Sequence, residues 1–278
     1  MGKLKNLTVL ITGGTGILGN RMAYALGKEG ATVIISGLNA KKIATSVSYL
    51  REHAIDARGV EMNVLDESSI ENALNIIKEF SIRSIDILIN AAGGNHPKGT
   101  TDKTRFKIGD DKTENLKTFF ELDKEGIQFV FDLNFMGTLL PIQKFAPLLM
   151  NSPNPSIVNI SSMNAFKPLT KIPAYSAAKA AVSNFTQWLA THFADVGIRV
   201  NAIAPGFFLT KQNNSLLVND DNSLTERGKK IINHTPLGRF GEPEDLDTTI
   251  TWLCDPSTSF VTGIIVPVDG GFSAFSGI

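Results

Sequence analysis

Tyr175 and Lys179 stand four residues apart, and Ser162 precedes the tyrosine by thirteen, within the run NISSMNAFKPLTKIPAYSAAKAAV at 159–182. On a helix that spacing puts Tyr175 and Lys179 on one face, one turn apart. A free tyrosine, with a pKa of about 10, is a poor acid or base at neutral pH. A lysine ammonium held beside it favours the phenolate. A tyrosine tuned in this way can pass a proton to or from a carbonyl oxygen, and a serine hydroxyl can hold that oxygen as charge develops on it. The three together suit interconversion of a carbonyl and an alcohol. Tyr and Lys at this spacing also occur on many exposed helices, so the elements that carry them must decide.

Those elements alternate. Leu7–Thr12, Thr32–Ser36, Ile85–Asn90, Ser156–Ile160, Ile198–Ile203 and Ile264–Val268 read as strands buried on both faces, with Arg58–Asn63 a weaker seventh. Helical patterns lie between them at about 17–29, 40–54, 66–80, 123–150, 174–195 and 243–254. This alternation of near-continuous apolar strands with helices predicts an α/β fold, a doubly wound, Rossmann-type parallel sheet flanked by helices. Two segments break the rhythm: the polar stretch 94–118, and 206–235 after Pro205-Gly206. Both follow strand carboxyl ends, where ligands bind in open α/β sheets, and both are expected to shape the substrate site. With no repeats or linkers, one domain over 1–278 is expected.

The first strand runs into Thr12-Gly13-Gly14-Thr15-Gly16-Ile17-Leu18-Gly19 and then a helix. Gly14, Gly16 and Gly19 satisfy G-x-G-x-x-G in the strand-to-helix context that gives the pattern meaning. A pyrophosphate can approach such a turn and meet the unpaired N–H groups of the helix start. No Gly-Lys-Ser/Thr follows, which disfavours a nucleotide-hydrolysing loop. After strand two, Ser36-Gly37-Leu38-Asn39 offers neither the acid that binds a ribose 2′-hydroxyl nor a cation for a 2′-phosphate. Lys41 and Lys42 read as solvated first-turn residues, so NAD is expected ahead of NADP.

The 27 basic and 27 acidic residues cancel, which argues against nucleic acid or an anionic membrane as partner. A single cysteine, Cys254, excludes an internal disulfide and suits a reducing compartment. No apolar run approaches the roughly 18 residues of a membrane span, and the amino terminus enters a strand almost at once. A soluble, cytoplasmic protein is expected. His96 has no metal-ligand partner at useful spacing, and no metal is expected.

Taken together, these residues resemble the short-chain dehydrogenase/reductase family, from Leu7 to Gly271. The resemblance is carried by TGGTGILG, Asn90-Ala91-Ala92-Gly93, Asn134 in DLNFMG, Ser162, Tyr175-Ser-Ala-Ala-Lys179, Asn201 in VNAIAPG and Val268-Asp269-Gly270-Gly271. It implies that Ser162 polarises the carbonyl and Tyr175 is the acid/base. By the same resemblance Lys179 lowers the tyrosine pKa and binds the nicotinamide ribose, while Asn134 holds a relay water. It implies a dinucleotide running past Gly13, Thr15, Gly16, Ile17, Leu18 and Gly19, then Leu38, Asn63, Val64, Asn90, Ala91 and Gly93. Tyr175, Lys179, Pro205, Gly206, Phe208 and Thr210 complete that path, Thr210 as the contact to the carboxamide. The chain departs from the family at Ile17, where TGxxxGxG has glycine, and at Asn63, where an aspartate is frequent.

A narrower likeness, to the D-mannonate oxidoreductase (fructuronate reductase) group, lies in GGNHPKGTT, PGFFLTKQN, HTPLGRFGEPEDL and VDGGFSAFSG. It implies a small polyhydroxy acid as substrate, a keto-uronic acid exchanged for a hydroxy aldonic acid. Leu38 departs from the arginine frequent in that group. A sugar acid needs several hydrogen-bond partners and a cation. Asn95, Lys98, Ser162, Asn164 and Tyr175 are the expected substrate contacts, with His96, Lys171, Lys211 and Gln212 nearby. The family resemblance implies a homotetramer or homodimer. The alternatives are a reductase of another carbonyl, such as a 3-oxoacyl thioester, and a non-catalytic dinucleotide-binding regulator.

Overall fold

In a computed structural model that describes residues 2–82, 84–210 and 213–277, seven strands form one sheet. They are β1 (Thr8–Thr12), β2 (Thr32–Gly37), β3 (Ala57–Glu61), β4 (Ile87–Asn90), β5 (Ser156–Ile160), β6 (Arg199–Pro205) and β7 (Ile265–Val268). All pairs are parallel, in the order β3-β2-β1-β4-β5-β6-β7. The order reverses between β1 and β4, which opens a crevice at their carboxyl ends.

Side chains alternate across the strands and build a core on each face. Val9, Ile11, Val33 and Ile35 pack on one side against α1 (Ile17–Lys28), α2 (Ala40–Glu52) and α9 (Asp247–Cys254). Leu10, Ile34, Leu88 and Ile157 pack on the other against α3 (Glu67–Glu79), α5 (Gly137–Leu149) and α6 (Pro173–His192). The expectation of burial on both faces fails for β7, whose residues are half-buried or exposed. It is the outermost strand, with a neighbour on one side only. The weaker seventh strand is real and forms the other edge.

The helix starts follow local chemistry. Asn39 accepts from the Lys42 N–H and Asp66 from the N–H groups of Ser68 and Ser69, each satisfying donors the first turn leaves free. Pro173 opens α6, where a missing N–H costs nothing. The single helix expected over 123–150 is instead α4 (Lys124–Phe131), a π-helical turn at Asp132–Met136, and α5. Asn134 lies in that turn, and its Nδ2 donates to the Val130 carbonyl four residues back at 2.7 Å. The side chain thereby takes the acceptor that the regular backbone ladder would use. The 206–235 segment is not bare loop either: it contains α7 (Asn214–Leu217) and α8 (Glu226–Asn233). Among the described residues no helix is long and apolar enough to cross a membrane.

Candidate active site

Strand β5 and helix α6 bring the opening residues together. Ser161 ties the two elements: its hydroxyl donates to the Lys179 carbonyl at 3.1 Å and lies 2.6 Å from the Ser183 hydroxyl. Below it, Asn90 Nδ2 donates to Asn159 Oδ1, and Asn159 Nδ2 donates to the Thr186 hydroxyl, both at 2.9 Å. This buried ladder joins β4, β5 and α6. It sets α6 against the sheet, so that Ser162, just past β5, meets the Tyr175 phenol. A polar residue inside an otherwise apolar strand was the sequence signal for Asn159, which motif reading passed over.

Burial raises the Tyr175 pKa, and the hydrogen bond with Ser162 partly offsets it. Lys179 is only 4% exposed, and its Nζ donates to the Ile160 carbonyl at 2.7 Å while lying 5.7 Å from the tyrosine ring centre. Loss of solvent lowers its pKa to about 8. The ammonium is turned to a backbone carbonyl, and the hydrogen bond that lowers the phenol pKa comes from Ser162.

Gly93 lies between the β4 end and α6. A Cβ there would sit 2.8 Å from Asn134 Oδ1 and 3.1 Å from Lys179 Nζ, so only glycine leaves the space open. Asn134 is fixed by Nδ2 donating to the Gly94 carbonyl at 2.7 Å and by Oδ1 accepting from the Gly94 N–H at 3.2 Å. Its own carbonyl accepts from the Thr138 hydroxyl.

Along the crevice, Gly13 rather than Gly14 makes the tight turn. Gly13 has φ +62°, and a Cβ on it would lie 2.8 Å from the Ala92 backbone. A Cβ on Gly19 would lie 2.5 Å from the Gly13 carbonyl oxygen. Gly16 has φ −74°, and its nearest neighbour would be 3.2 Å away. A Cβ on Gly14 would lie 2.8 Å from the Ile35 Cβ. The glycine requirement thus falls on Gly13, Gly14 and Gly19, and the isoleucine at 17, the first residue of α1, leaves the turn intact. Among the described residues the N–H groups of Ile17, Leu18 and Gly19 have no acceptor, so they point free at the helix start, where an anion is favoured. Thr15 is half-buried beside Gly37, where a Cβ would lie 2.9 Å from its hydroxyl.

The rest of the expected cofactor path divides. Leu38 is 71% exposed, and Lys41 and Lys42 are exposed on the first turn of α2. Asn63 uses its Oδ1 to accept from the Leu65 N–H at 3.1 Å. Val64 is buried, and a Cβ on Gly137 would touch it at 2.9 Å. The Ala91 N–H donates to the Thr12 hydroxyl. Asn90 is buried at the end of β4, and its amide braces the sheet through the ladder. Pro205 ends β6, Gly206 donates to the Val268 carbonyl, Phe208 is buried, and the Thr210 N–H donates to Asn213 Oδ1 at 2.8 Å.

A cavity of about 190 Å³ opens between β5, α6 and the 206–235 segment. Ser162, Asn164, Tyr175 and Arg227 line it together with Leu169, Ile172, Leu216 and Leu217. Asn164 is buried, and its Oδ1 has no partner among the described residues. A neighbouring cavity of about 480 Å³, bounded by Phe207, Leu237 and Asp269, contains none of the three reactive groups. Of the expected substrate contacts, the fold unites Ser162, Asn164 and Tyr175 and sets Asn95 and Lys98 aside. Asn95 Nδ2 donates to the Thr100 hydroxyl, and Lys98 Nζ pairs with Asp123 at 3.7 Å and Glu125 at 3.8 Å. His96 accepts from the Lys98 N–H, and Lys171 bonds Thr101 through its carbonyl. Lys211 and Gln212 lie outside the described residues. The 94–118 segment lines none of this cavity, contrary to expectation. Arg227 was missed, because no motif marks it.

The fold and this constellation are those of a Rossmann-type oxidoreductase. A family model described as Enoyl-(Acyl carrier protein) reductase matches residues 15–273. The chain is 48% identical to "Uncharacterized oxidoreductase UxuB" of Bacillus subtilis, covering 99% of this chain and 98% of that one. It is also 48% identical to an "Uncharacterized oxidoreductase" of Haemophilus influenzae, over 99% and 96%. The crystal structure of "a putative D-Mannonate oxidoreductase from Haemophilus influenza" with bound NAD superposes with a TM-score of 0.93 at 47% identity, covering 99% and 98%. The chain belongs to the short-chain dehydrogenase/reductase family and is an oxidoreductase.

Proposed function

We propose that the protein is an NAD(P)-dependent oxidoreductase that interconverts a keto-uronic acid and a hydroxy aldonic acid, of the D-fructuronate/D-mannonate type. The observation that carries this reading is the placing of Ser162, Tyr175 and Asn164 on one small cavity beside the crevice. Its volume, about 190 Å³, is below the roughly 300–1,000 Å³ of drug-sized ligand sites, which suits a short polar substrate better than a long acyl chain. The NAD-bound neighbour named for D-mannonate supports the same class.

The crevice fits a dinucleotide. The left-handed turn at Gly13 and the free N–H groups of Ile17, Leu18 and Gly19 would hold a pyrophosphate, with Thr15 and Gly16 beside it. Leu38, Asn63, Val64, Asn90 and Ala91 would border the adenosine half. The open space at Gly93, Tyr175 and Lys179, with Pro205, Gly206, Phe208 and Thr210 opposite, would take the nicotinamide half. When bound, that group supplies or accepts the hydride. Leu38 brings no charge to the ribose, and NAD is the proposed preference.

The chain's own part is the proton and the orientation. Ser162 donates to the substrate carbonyl oxygen and holds it against Tyr175. In reduction the phenol gives its proton to that oxygen as negative charge grows there; in oxidation it takes the proton back. Such acid–base help is worth roughly 10²–10⁴-fold in rate. Lys179, buried beside Gly93, would bond the ribose hydroxyls, and Asn134 keeps the space in front of it in shape. The buried thiol of Cys254 and the absence of net charge accord with a cytoplasmic enzyme, which we propose together with a homodimer or homotetramer. The test is absorbance at the reduced-nicotinamide band with keto-uronates and aldonates and each cofactor. No turnover of any of them would overturn the assignment.

A further inference from the structure

Arg227 lines the cavity that holds Ser162 and Tyr175, and it is the one cation among the described lining residues. Among those residues its guanidinium has no ion pair and no hydrogen bond. The adjacent acid, Glu226, is taken by Lys229 at 2.9 Å. The other candidate cations near the site are engaged or elsewhere: Lys98 with two carboxylates, Lys179 with the Ile160 carbonyl.

The position of Arg227 is built, not incidental. The Thr225 hydroxyl accepts from the Gly228 N–H at 3.0 Å and donates to the Leu216 carbonyl at 2.8 Å, and the Thr225 N–H donates to the Leu217 carbonyl. A Cβ on Gly228 would lie 2.3 Å from the Leu217 carbonyl oxygen, so the start of α8 rests directly on α7. This clamp fixes the backbone that carries Arg227, which is exposed and shares the cavity lining with Leu216 and Leu217. A cation in the first turn of a helix faces the positive end of the helix dipole and is disfavoured there. An unpaired arginine in that place gains most from an anion, and planar carboxylates match its fork.

We infer that Arg227 is the specificity-determining residue of the site and binds the carboxylate of the substrate. The inference rests on the proposed sugar-acid reading for the identity of that substrate. Asn164, buried on the same cavity with an unsatisfied Oδ1, offers a neutral partner for a substrate hydroxyl. The site then takes a hydroxy carboxylate in preference to the corresponding neutral polyol.

The experiment compares the full-length wild type with R227Q and R227K. Calorimetry measures binding of D-mannonate and D-gluconate, and of the uncharged D-mannitol and D-sorbitol, to the enzyme with NADH, where no turnover occurs. Steady-state kinetics with NAD give KM and kcat for the two aldonates. In R227Q the ratio of aldonate to alditol affinity falls about 10- to 100-fold, the scale of a lost hydrogen bond to a charged group. KM for the aldonate rises far more than kcat falls, and R227K restores part of the ratio. An unchanged ratio in R227Q, equal losses for aldonate and alditol, or a wild type without preference for the acid would overturn the inference. Absence of turnover with a persisting, Arg227-dependent preference for the acid would sink the proposed reaction and leave the anchor standing.

Discussion

At the residue scale, the chemistry concentrates in two ionisable groups held differently, Lys179 buried and Tyr175 half-buried. Tyr175 is raised by burial and drawn back by Ser162, so the serine both holds the carbonyl and tunes the acid. Y175F should cut turnover by roughly 10²–10⁴-fold while calorimetric cofactor affinity stays near wild type; retention of half the wild-type kcat would remove Tyr175 from the proton step. Lys179 has a separate signature in stability. Its folded pKa of about 8 lies below the ordinary 10.5. Between those values the unfolded chain binds more protons than the folded one, so this group makes stability rise with pH across that window. K179M lacks the buried charge. Without cofactor it should be more stable than wild type at pH 7, by up to about 3 kcal/mol, with the gap narrowing as pH climbs above 8. Urea unfolding of both proteins at pH 7 and 9.5 tests this, and background groups such as Cys254 cancel in the difference. A gap independent of pH would show that Lys179 is not buried as a strained cation.

At the element scale, the strand-to-helix turn after β1 depends on Gly13, Gly14 and Gly19 for geometry and on Gly16 only by sequence habit. Gly13 adopts φ +62° with the Ala92 backbone pressed against it. An alanine there costs about 1–2 kcal/mol in backbone conformation alone, before the contact at 2.8 Å is relieved. G13A should lower the melting temperature and weaken NAD binding together. G16A, at an ordinary φ of −74°, should change the melting temperature little. Equal destabilisation by both variants would contradict the turn described here. The π-helical turn at Asp132–Met136 belongs to the same scale. It breaks what periodicity presents as one helix, because the Asn134 side chain captures a carbonyl of its own helix and the Gly94 loop at once.

At the scale of the whole molecule, the proposed oligomer would draw on the exposed apolar surface of the chain. The edge strand β7 is only half-buried. On α6, Trp188 is 55% exposed and stacks on Phe185 at 6.1 Å and on His192 at 4.5 Å. A large exposed aromatic stack of this kind marks an interaction surface more often than a solvated one. Sedimentation equilibrium should give a dimer or tetramer mass for the wild type and a smaller species for W188E, since a buried unpaired carboxylate opposes association. A monomeric wild type would end the expectation.

Local chemistry was enough to read the strands, most helices and the Ser162–Tyr175–Lys179 constellation. Periodicity reports which face is buried, and short motifs report groups that must lie near in sequence to act together. The same local reading could not say that Lys98 is spent on Asp123 and Glu125, or that Asn90 braces the sheet. Nor could it add Gly13 to the glycine requirement or bring Arg227, 52 positions from Tyr175 in the chain, to the same cavity. Each of those depends on which partner reaches a side chain first across the folded molecule. Competition among distant partners is decided by tertiary packing, and no local pattern of residues encodes its outcome.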